Sequence, residues 1–341
     1  MSQHATLVVP LHVKDALSFA GGLGFLMANA PGVRLVVVVS DAEAVRRMAG
    51  GGAPKDGVRW LPDEGEHWPW RTRQGASEAM ALDDERERAL KRGVGFGWLY
   101  QQLLKLYADE AAAHFVTSDA NRPDSAHVPP LDAALGDNVV WMDADVALAR
   151  PTRFFSPSNH AFIPLQPPNS LGTAQHARYL RHRVQLLARM NTPRDDFDAV
   201  SGAQGCVCHH LPIPKGAAHA LRACFTDPPL WKAFLAAAAT MAPDELASGC
   251  ASEYELMARF AHAHFPTVPR ALTVADVRAT SNGVPADVTT DADLVVSHEQ
   301  WVDADDAALA RRRSAADGTP DAGFASSAAG SAERARARRF V

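Results

Sequence analysis

Short runs of β-branched residues alternate with helically spaced apolar positions along the first part of the chain. "ATLVVPLHV" (5–13) and "VRLVVVVSD" (33–41) read as strands bounded by turn residues, and "ALSFAGGLGFLMANA" between them reads as a helix despite its glycines. Strand, helix and strand in that order imply parallel strands joined by a crossover. "AEAVRRMAG" predicts a second helix, closed by the "GGGAPKDG" turn, and "VRWLP" (58–62) predicts a third strand. Residues 63–97 break this rhythm, because charge, Trp and Gly are mixed around a charge-rich helical centre; the stretch reads as an insertion or mobile loop over a site. In "WLYQQLLKLYADEAAAHF" (98–115) helical spacing resumes, with Leu99, Leu103, Leu106 and Tyr107 on the buried face. Gln101, Gln102 and Lys105 on the same helix need another explanation.

A second stretch, rich in Pro, Asp and Asn, covers 118–131 and reads as an insertion or loop, and the apolar run "NVVWM" (138–142) follows as a strand. Beyond it, residues 173–191 form a basic amphipathic pattern, read as a solvated helix face because the chain as a whole is acidic. "HALRACFTDPPLWKAFLAAAATM" and "SGCASEYELMARFAHAHF" predict further helix, and "DLVVSHEQW" (293–301) is strand-like. Residues 303–341 carry almost no large apolar side chains and read as a low-complexity, disordered tail. The pattern therefore predicts one α/β domain over residues 1–302, with a mainly parallel central sheet flanked by helices, and no internal repeat.

At 341 residues and 47% hydrophobic content the chain can bury a large core. The formal net charge of -5 argues against gripping nucleic acid or anionic lipid and leaves a metal or an anionic small ligand open. No stretch approaches the roughly 20 apolar residues of a membrane span, and the N-terminus lacks a signal-peptide pattern, so a soluble intracellular protein is expected. Cys206, Cys208 and His209 resemble a partial zinc site, but the spacing is too tight and no second pair follows; buried reduced thiols are the simpler reading.

"VVWMDADVALARP" (139–151) changes the picture most. Asp143 and Asp145 end an apolar run, where ligands of open α/β sheets bind, and residues two apart on extended backbone point the same way. Two carboxylates that close repel and raise each other's pKa unless a cation joins them. Mg²⁺ or Mn²⁺ suits hard oxygen ligands and completes its shell with diphosphate and water. The plainer alternative is a polar strand-to-turn junction, since Asp is common in turns.

With "GFGWLYQQLLKLYA" (95–108) before this motif and "SEYELMAR" (252–259) after it, the chain resembles the GT-A glycosyltransferases, and within them a group with G-W-x-x-Q-Q-x-x-K-L, D-x-D and S-E-Y-E segments. The resemblance covers about residues 5–300 and implies a GT-A type, Rossmann-like sheet. It also implies a transferase that moves a sugar from a UDP- or GDP-sugar to a glycan or other hydroxyl acceptor with Mn²⁺ or Mg²⁺. Asp145 is then the direct metal ligand, Asp143 touches the metal or the ribose, and His298 is a third ligand or a diphosphate contact. Glu253 and Asp143 are the candidate catalytic carboxylates, with Ser252 and Glu255 forming a capping box that leaves Glu253 to face sugar or acceptor as a general base. Lys105 meets phosphate, Gln102 reads donor or acceptor hydroxyls, and Trp98 stacks on a sugar or base; the plainer alternatives are a solvent-facing helix for the first two and core filling for Trp98. Gln204 lies in an acceptor-side loop, and Pro10 and His12 receive the nucleotide base. One departure is that residues 109–137 separate the Q-Q-x-x-K-L helix from the D-x-D strand, where related sequences pass rapidly from one to the other. Two other readings compete: a haloacid-dehalogenase-like phosphohydrolase with an aspartyl nucleophile, and a non-catalytic scaffold that binds a sugar nucleotide.

Overall fold

Continuous apolar runs fit strands that are covered on both faces. β1 (Ala5–Pro10) is buried at every position, and β2 (Val33–Ser40) is buried at every position except Arg34. In the computed structural model these two pair in parallel, and β3 (Val58–Pro62) and β4 (Asn138–Met142) extend the sheet on either side, also in parallel. β7 (His210–Ile213) closes the order β3-β2-β1-β4-β7 as an antiparallel edge strand. The structure describes residues 5–51, 57–119, 138–148, 151–165, 173–191, 206–207, 209–271 and 278–279.

The helices follow from the sequence pattern and its caps. α1 (Ala16–Asn29) buries Phe19, Leu23 and Leu26 between β1 and β2 in the chain, as the crossover requires. α2 (Ala42–Gly50) starts where Asp41 accepts a hydrogen bond from the Ala44 backbone N–H at 2.8 Å. The long α5 (Gly95–Asp119) packs against β1 and buries Leu99, Leu103, Leu106 and Tyr107, the face that its spacing predicts. After β4 come α6 (Thr173–Leu187), α7 (Ala217–Ala223), α8 (Leu230–Ala239), α9 (Pro243–Ala247) and α10 (Glu253–His264). The last of these runs beside α5, α7 and β7. The fold is thus mixed α/β, with a mainly parallel central sheet flanked by helices.

Residues 63–97 differ from a mobile loop. They form α3 (Arg73–Glu78) and α4 (Asp84–Arg92), capped by Thr72 and Asp83, and lead into α5. Trp68 and Trp70 are buried and stacked with ring centroids 5.2 Å apart, and Trp70 packs edge-on against Tyr100, Tyr107 and Trp231. Their indole N–H groups donate to the Pro62 carbonyl at 2.8 Å and the Tyr100 hydroxyl at 3.2 Å. Local composition hid this, because the partners that bury these rings lie far away in sequence.

The longer strands that the pattern does not pick out contain proline. β6 (Ala161–Leu165) and β8 (Thr267–Ala271) pair in parallel apart from the central sheet, and β7 includes Pro212. Proline removes a ladder donor and is confined to sheet edges, so each of these short runs reads weakly as strand. A further two-residue pair, β5 (Val146–Ala147) with β9 (Arg278–Ala279), follows the aspartates. Most of the 118–131 stretch, Gln204, the "DLVVSHEQW" segment with His298, and residues 303–341 lie outside the described residues. Among the described residues no helix is long and apolar enough to cross a membrane.

Candidate metal centre

β4 delivers the aspartates. Val140, Trp141 and Met142 bury the strand, and the chain then turns, placing Asp143 and Asp145 at the carboxyl-terminal edge of the sheet. Antiparallel pairing opposes Met142 to His210, and the Asp143 backbone N–H donates to the His209 carbonyl at 3.0 Å. That register brings an imidazole to the carboxylates. One ligand atom from each of Asp143, Asp145 and His209 lies within 4.8 Å of the others.

Below this group sits a buried cation. Lys105, on α5 and 4% exposed, pairs with Asp143 Oδ1, with Glu253 Oε1 at 2.7 Å and with the Tyr254 hydroxyl at 2.9 Å. Its ammonium also lies 4.1 Å from the centre of the Tyr254 ring, a cation–π distance. The Tyr254 hydroxyl donates to Asp143 Oδ1 at 2.9 Å, and His209 Nδ1 donates to Asp143 Oδ2 at 2.8 Å. Burial opposes ionisation of Asp143, yet the Lys105 charge and the His209 hydrogen bond hold its carboxyl well below the usual range. Asp145 is pushed up to about 6, first by burial and then by the Asp143 and Asp15 charges, with His209 working the other way. Burial pulls on His209 and Lys105 in the direction of neutrality, but the neighbouring carboxylates raise both. Burial raises Glu253.

The helix α10 begins as "SEYE" predicts and then departs from it. Ser252 Oγ accepts from the Glu255 backbone N–H at 3.1 Å, the expected cap. The Glu255 carboxylate turns into the protein, paired with Arg259 and accepting from the Cys206 backbone N–H at 2.8 Å. Glu253 is not left free for a ligand, because Lys105 holds its carboxylate and its backbone N–H donates to Gln102 Oε1 at 3.1 Å. Lys105 and Gln102, expected to meet phosphate and hydroxyls, are therefore both buried in contacts with α10. Helical spacing puts them on one face of α5; only packing reveals that α10 covers that face.

Pro10 ends β1, and continuing the β1–β4 register puts it beside Asp143. His12 caps the short 3₁₀ turn Val13–Asp15, with Nδ1 accepting from the Lys14 backbone N–H at 3.2 Å. Trp98 packs over Gly249, whose positive φ of 80° suits glycine. His209 entered the sequence reading only as a partner for cysteines. Instead Cys206 is buried with its thiol pushed up to about 12 by burial, an inert setting, and Cys208 lies outside the described residues. The signal that was available is a histidine pair opening an apolar "LPI" run.

The donor set fits a divalent ion. One ammonium against the three carboxylates of Asp143, Asp145 and Glu253 leaves an excess of carboxylates that a divalent cation would offset, and an imidazole beside carboxylates suits Mn²⁺ or a later transition metal.

No protein-family model matches the chain, and neither does any curated protein. Among solved structures, the crystal structure of mouse xyloside xylosyltransferase 1 in its apo form aligns with a TM-score of 0.33 and 12% identity. The alignment covers 80% of this chain and 86% of that chain.

Proposed function

We propose that the protein is a metal-dependent glycosyltransferase that moves a sugar from a nucleoside-diphosphate sugar to a hydroxyl acceptor. The observation that carries this reading is the Asp143, Asp145 and His209 group at the carboxyl-terminal edge of the central sheet. It is the position at which α/β sheets bind ligands, and two carboxylates beside an imidazole form a donor set that suits a divalent cation. Asp145 and His209, beside Asp143, would hold the ion. When bound, that ion supplies a Lewis acid for the charge that develops on a departing diphosphate. The resemblance to GT-A enzymes assigns the base to the end of β1, at Pro10 and His12, and Trp98 to a sugar or base. It assigns Gln204 to the acceptor and His298 to the ion or the diphosphate.

The chain's own residues do the remainder. Lys105 keeps Asp143 ionised, and Glu253 keeps Lys105 in place, so we assign Glu253 a supporting role and not that of general base. The phosphohydrolase alternative needs one aspartate oxygen able to attack phosphorus; both Asp143 oxygens already accept hydrogen bonds.

The test is nucleoside-diphosphate release from a panel of UDP- and GDP-sugars with and without MnCl₂. Turnover should require the metal and vanish in Asp145→Ala with the fold retained. Full activity in that variant would sink the proposal. Phosphate release from simple phosphoesters would favour the hydrolase, and donor binding without turnover would favour a scaffold.

A further inference from the structure

We propose that the donor nucleotide carries guanine, read at the carboxyl ends of β2 and β3: the Asp63 carboxylate takes its two adjacent N–H donors and Arg73 its carbonyl edge. This rests on the nucleoside-diphosphate reading above and names the nucleotide that it leaves open.

Tyr100 joins the two side chains. Its hydroxyl donates to the Asp63 carbonyl at 2.5 Å, and the Arg73 guanidinium carbon lies 5.8 Å from the centre of its ring, a cation–π distance. The main chain fixes both ends, since Asp63 N–H donates to the Ser40 carbonyl at 3.3 Å and Arg73 N–H donates to Glu64 Oε1 at 2.6 Å. Gly97, the glycine that opens the G-W-x-x-Q-Q-x-x-K-L segment, leaves room for the guanidinium; a Cβ there would lie 2.8 Å from Arg73 Nη2. Yet the two charges do not pair. Among the described residues the exposed Arg73 makes no ion pair, and no side chain donates to the half-buried Asp63. Burial, then the Glu64 and Asp41 charges, push Asp63 up to about 6 from the ordinary 3.8, so a ligand that brings donors relieves a cost already present. At the adjoining strand end Ser40 Oγ, 1% exposed, has no hydrogen-bond partner either.

Position separates base from phosphate. The order β3-β2-β1-β4 puts this edge three strands from the aspartates of β4, about 14 Å at the usual strand spacing. That is too far for a phosphate on an ion at those aspartates, and it suits the other end of the same nucleotide. His12, at the end of β1 between the two, is lowered by burial first and then by cations, Arg73 among them, so the guanidinium faces this path. Guanine presents N1–H and N2–H side by side, a pair that a carboxylate accepts together, with O6 and N7 as acceptors for a guanidinium. Uracil sets its single N3–H between two carbonyl oxygens, which a carboxylate repels.

Titration calorimetry of the whole protein with GDP, IDP and UDP, each with MnCl₂ present, tests this, and thermal unfolding checks the fold of each variant. GDP should bind at least about tenfold tighter than UDP, and IDP, which lacks the 2-amino group, about tenfold more weakly than GDP. Asp63→Asn should abolish the preference for GDP over IDP and UDP. Arg73→Gln should weaken GDP about tenfold, the scale of one lost guanidinium contact to guanine. Gly97→Ala keeps every charge and displaces only the flexible tip of Arg73, so it should fold normally and weaken GDP severalfold. UDP binding as tightly as GDP, or an undiminished GDP preference in Asp63→Asn, overturns the inference and leaves the glycosyltransferase reading standing. If none of the three nucleotides binds, the nucleoside-diphosphate reading itself fails and the inference falls with it.

Discussion

Single residues in this chain are governed by what they are buried against. Glu253 stands at the first turn of a helix, where a carboxylate is favoured by the dipole, and the sequence alone leaves it available for catalysis. Burial beside Lys105 assigns it differently, and the consequence is measurable. Glu253→Gln still offers Lys105 an oxygen, so kcat should fall by less than about tenfold, whereas removing a general base costs about 10²- to 10⁴-fold. Arg259 makes a similar case, fully buried and paired with Glu255. Arg259→Met takes the nearest cation from that buried carboxylate, leaving it the Cys206 N–H and Arg183 at 4.0 Å, and should lower unfolding free energy in urea by about 3 kcal/mol. His182 carries the pH dependence. Burial, opposed by its hydrogen bond to the Phe234 carbonyl at 3.1 Å, lowers its pKa to about 4 from the ordinary 6.5. Between those values the unfolded chain binds the proton and the native one does not, so stability is fullest above pH 6.5 and declines as pH falls to about 4. Denaturation series at pH 7, 5.5 and 4.5, against His182→Gln, should show about 2.5 kcal/mol of this loss in the native sequence and not in the variant.

At the scale of elements, caps and close approaches decide where helices begin and how tightly they meet. Ser252 caps α10, the helix that brings Glu253 and Tyr254 to Lys105, so Ser252→Ala should cost about 1 kcal/mol and loosen the support under Asp143. α4 and α9 meet more closely than side chains permit. A Cβ on Gly93 would sit 1.9 Å from the Ala247 carbonyl oxygen, a backbone atom that cannot swing aside. Gly93→Ala should therefore destabilise by about 1–3 kcal/mol in chemical denaturation. Nothing in the local sequence marks this glycine, whereas α1, α2, α5 and the first four sheet strands were legible from periodicity and β-branched runs. The proline-bearing strands and the helices within 63–97 were not, because pairing partners and aromatic neighbours distant in sequence stabilise them.

For the whole molecule, the sheet order and the metal centre are one feature. Antiparallel β7 is what brings His209 to the two aspartates of the β4 edge. A ligand that binds only the folded state raises apparent stability, so MnCl₂ at 100 times its Kd should add about 2.7 kcal/mol, seen as a higher Tm that chelation reverses. The sequence by itself determined that this is an α/β chain with a mainly parallel sheet and that two carboxylates share a strand end, a donor pair that suits a divalent cation. Those features depend on spacing along the backbone, which periodicity reports. Tertiary structure alone decided that His209 lies beside the aspartates and that Lys105, Glu253 and Tyr254 gather around Asp143. Those contacts join α5, β4, β7 and α10 across separations of 38 to 149 residues, and over such distances the role of a charge follows from which side chains desolvate it.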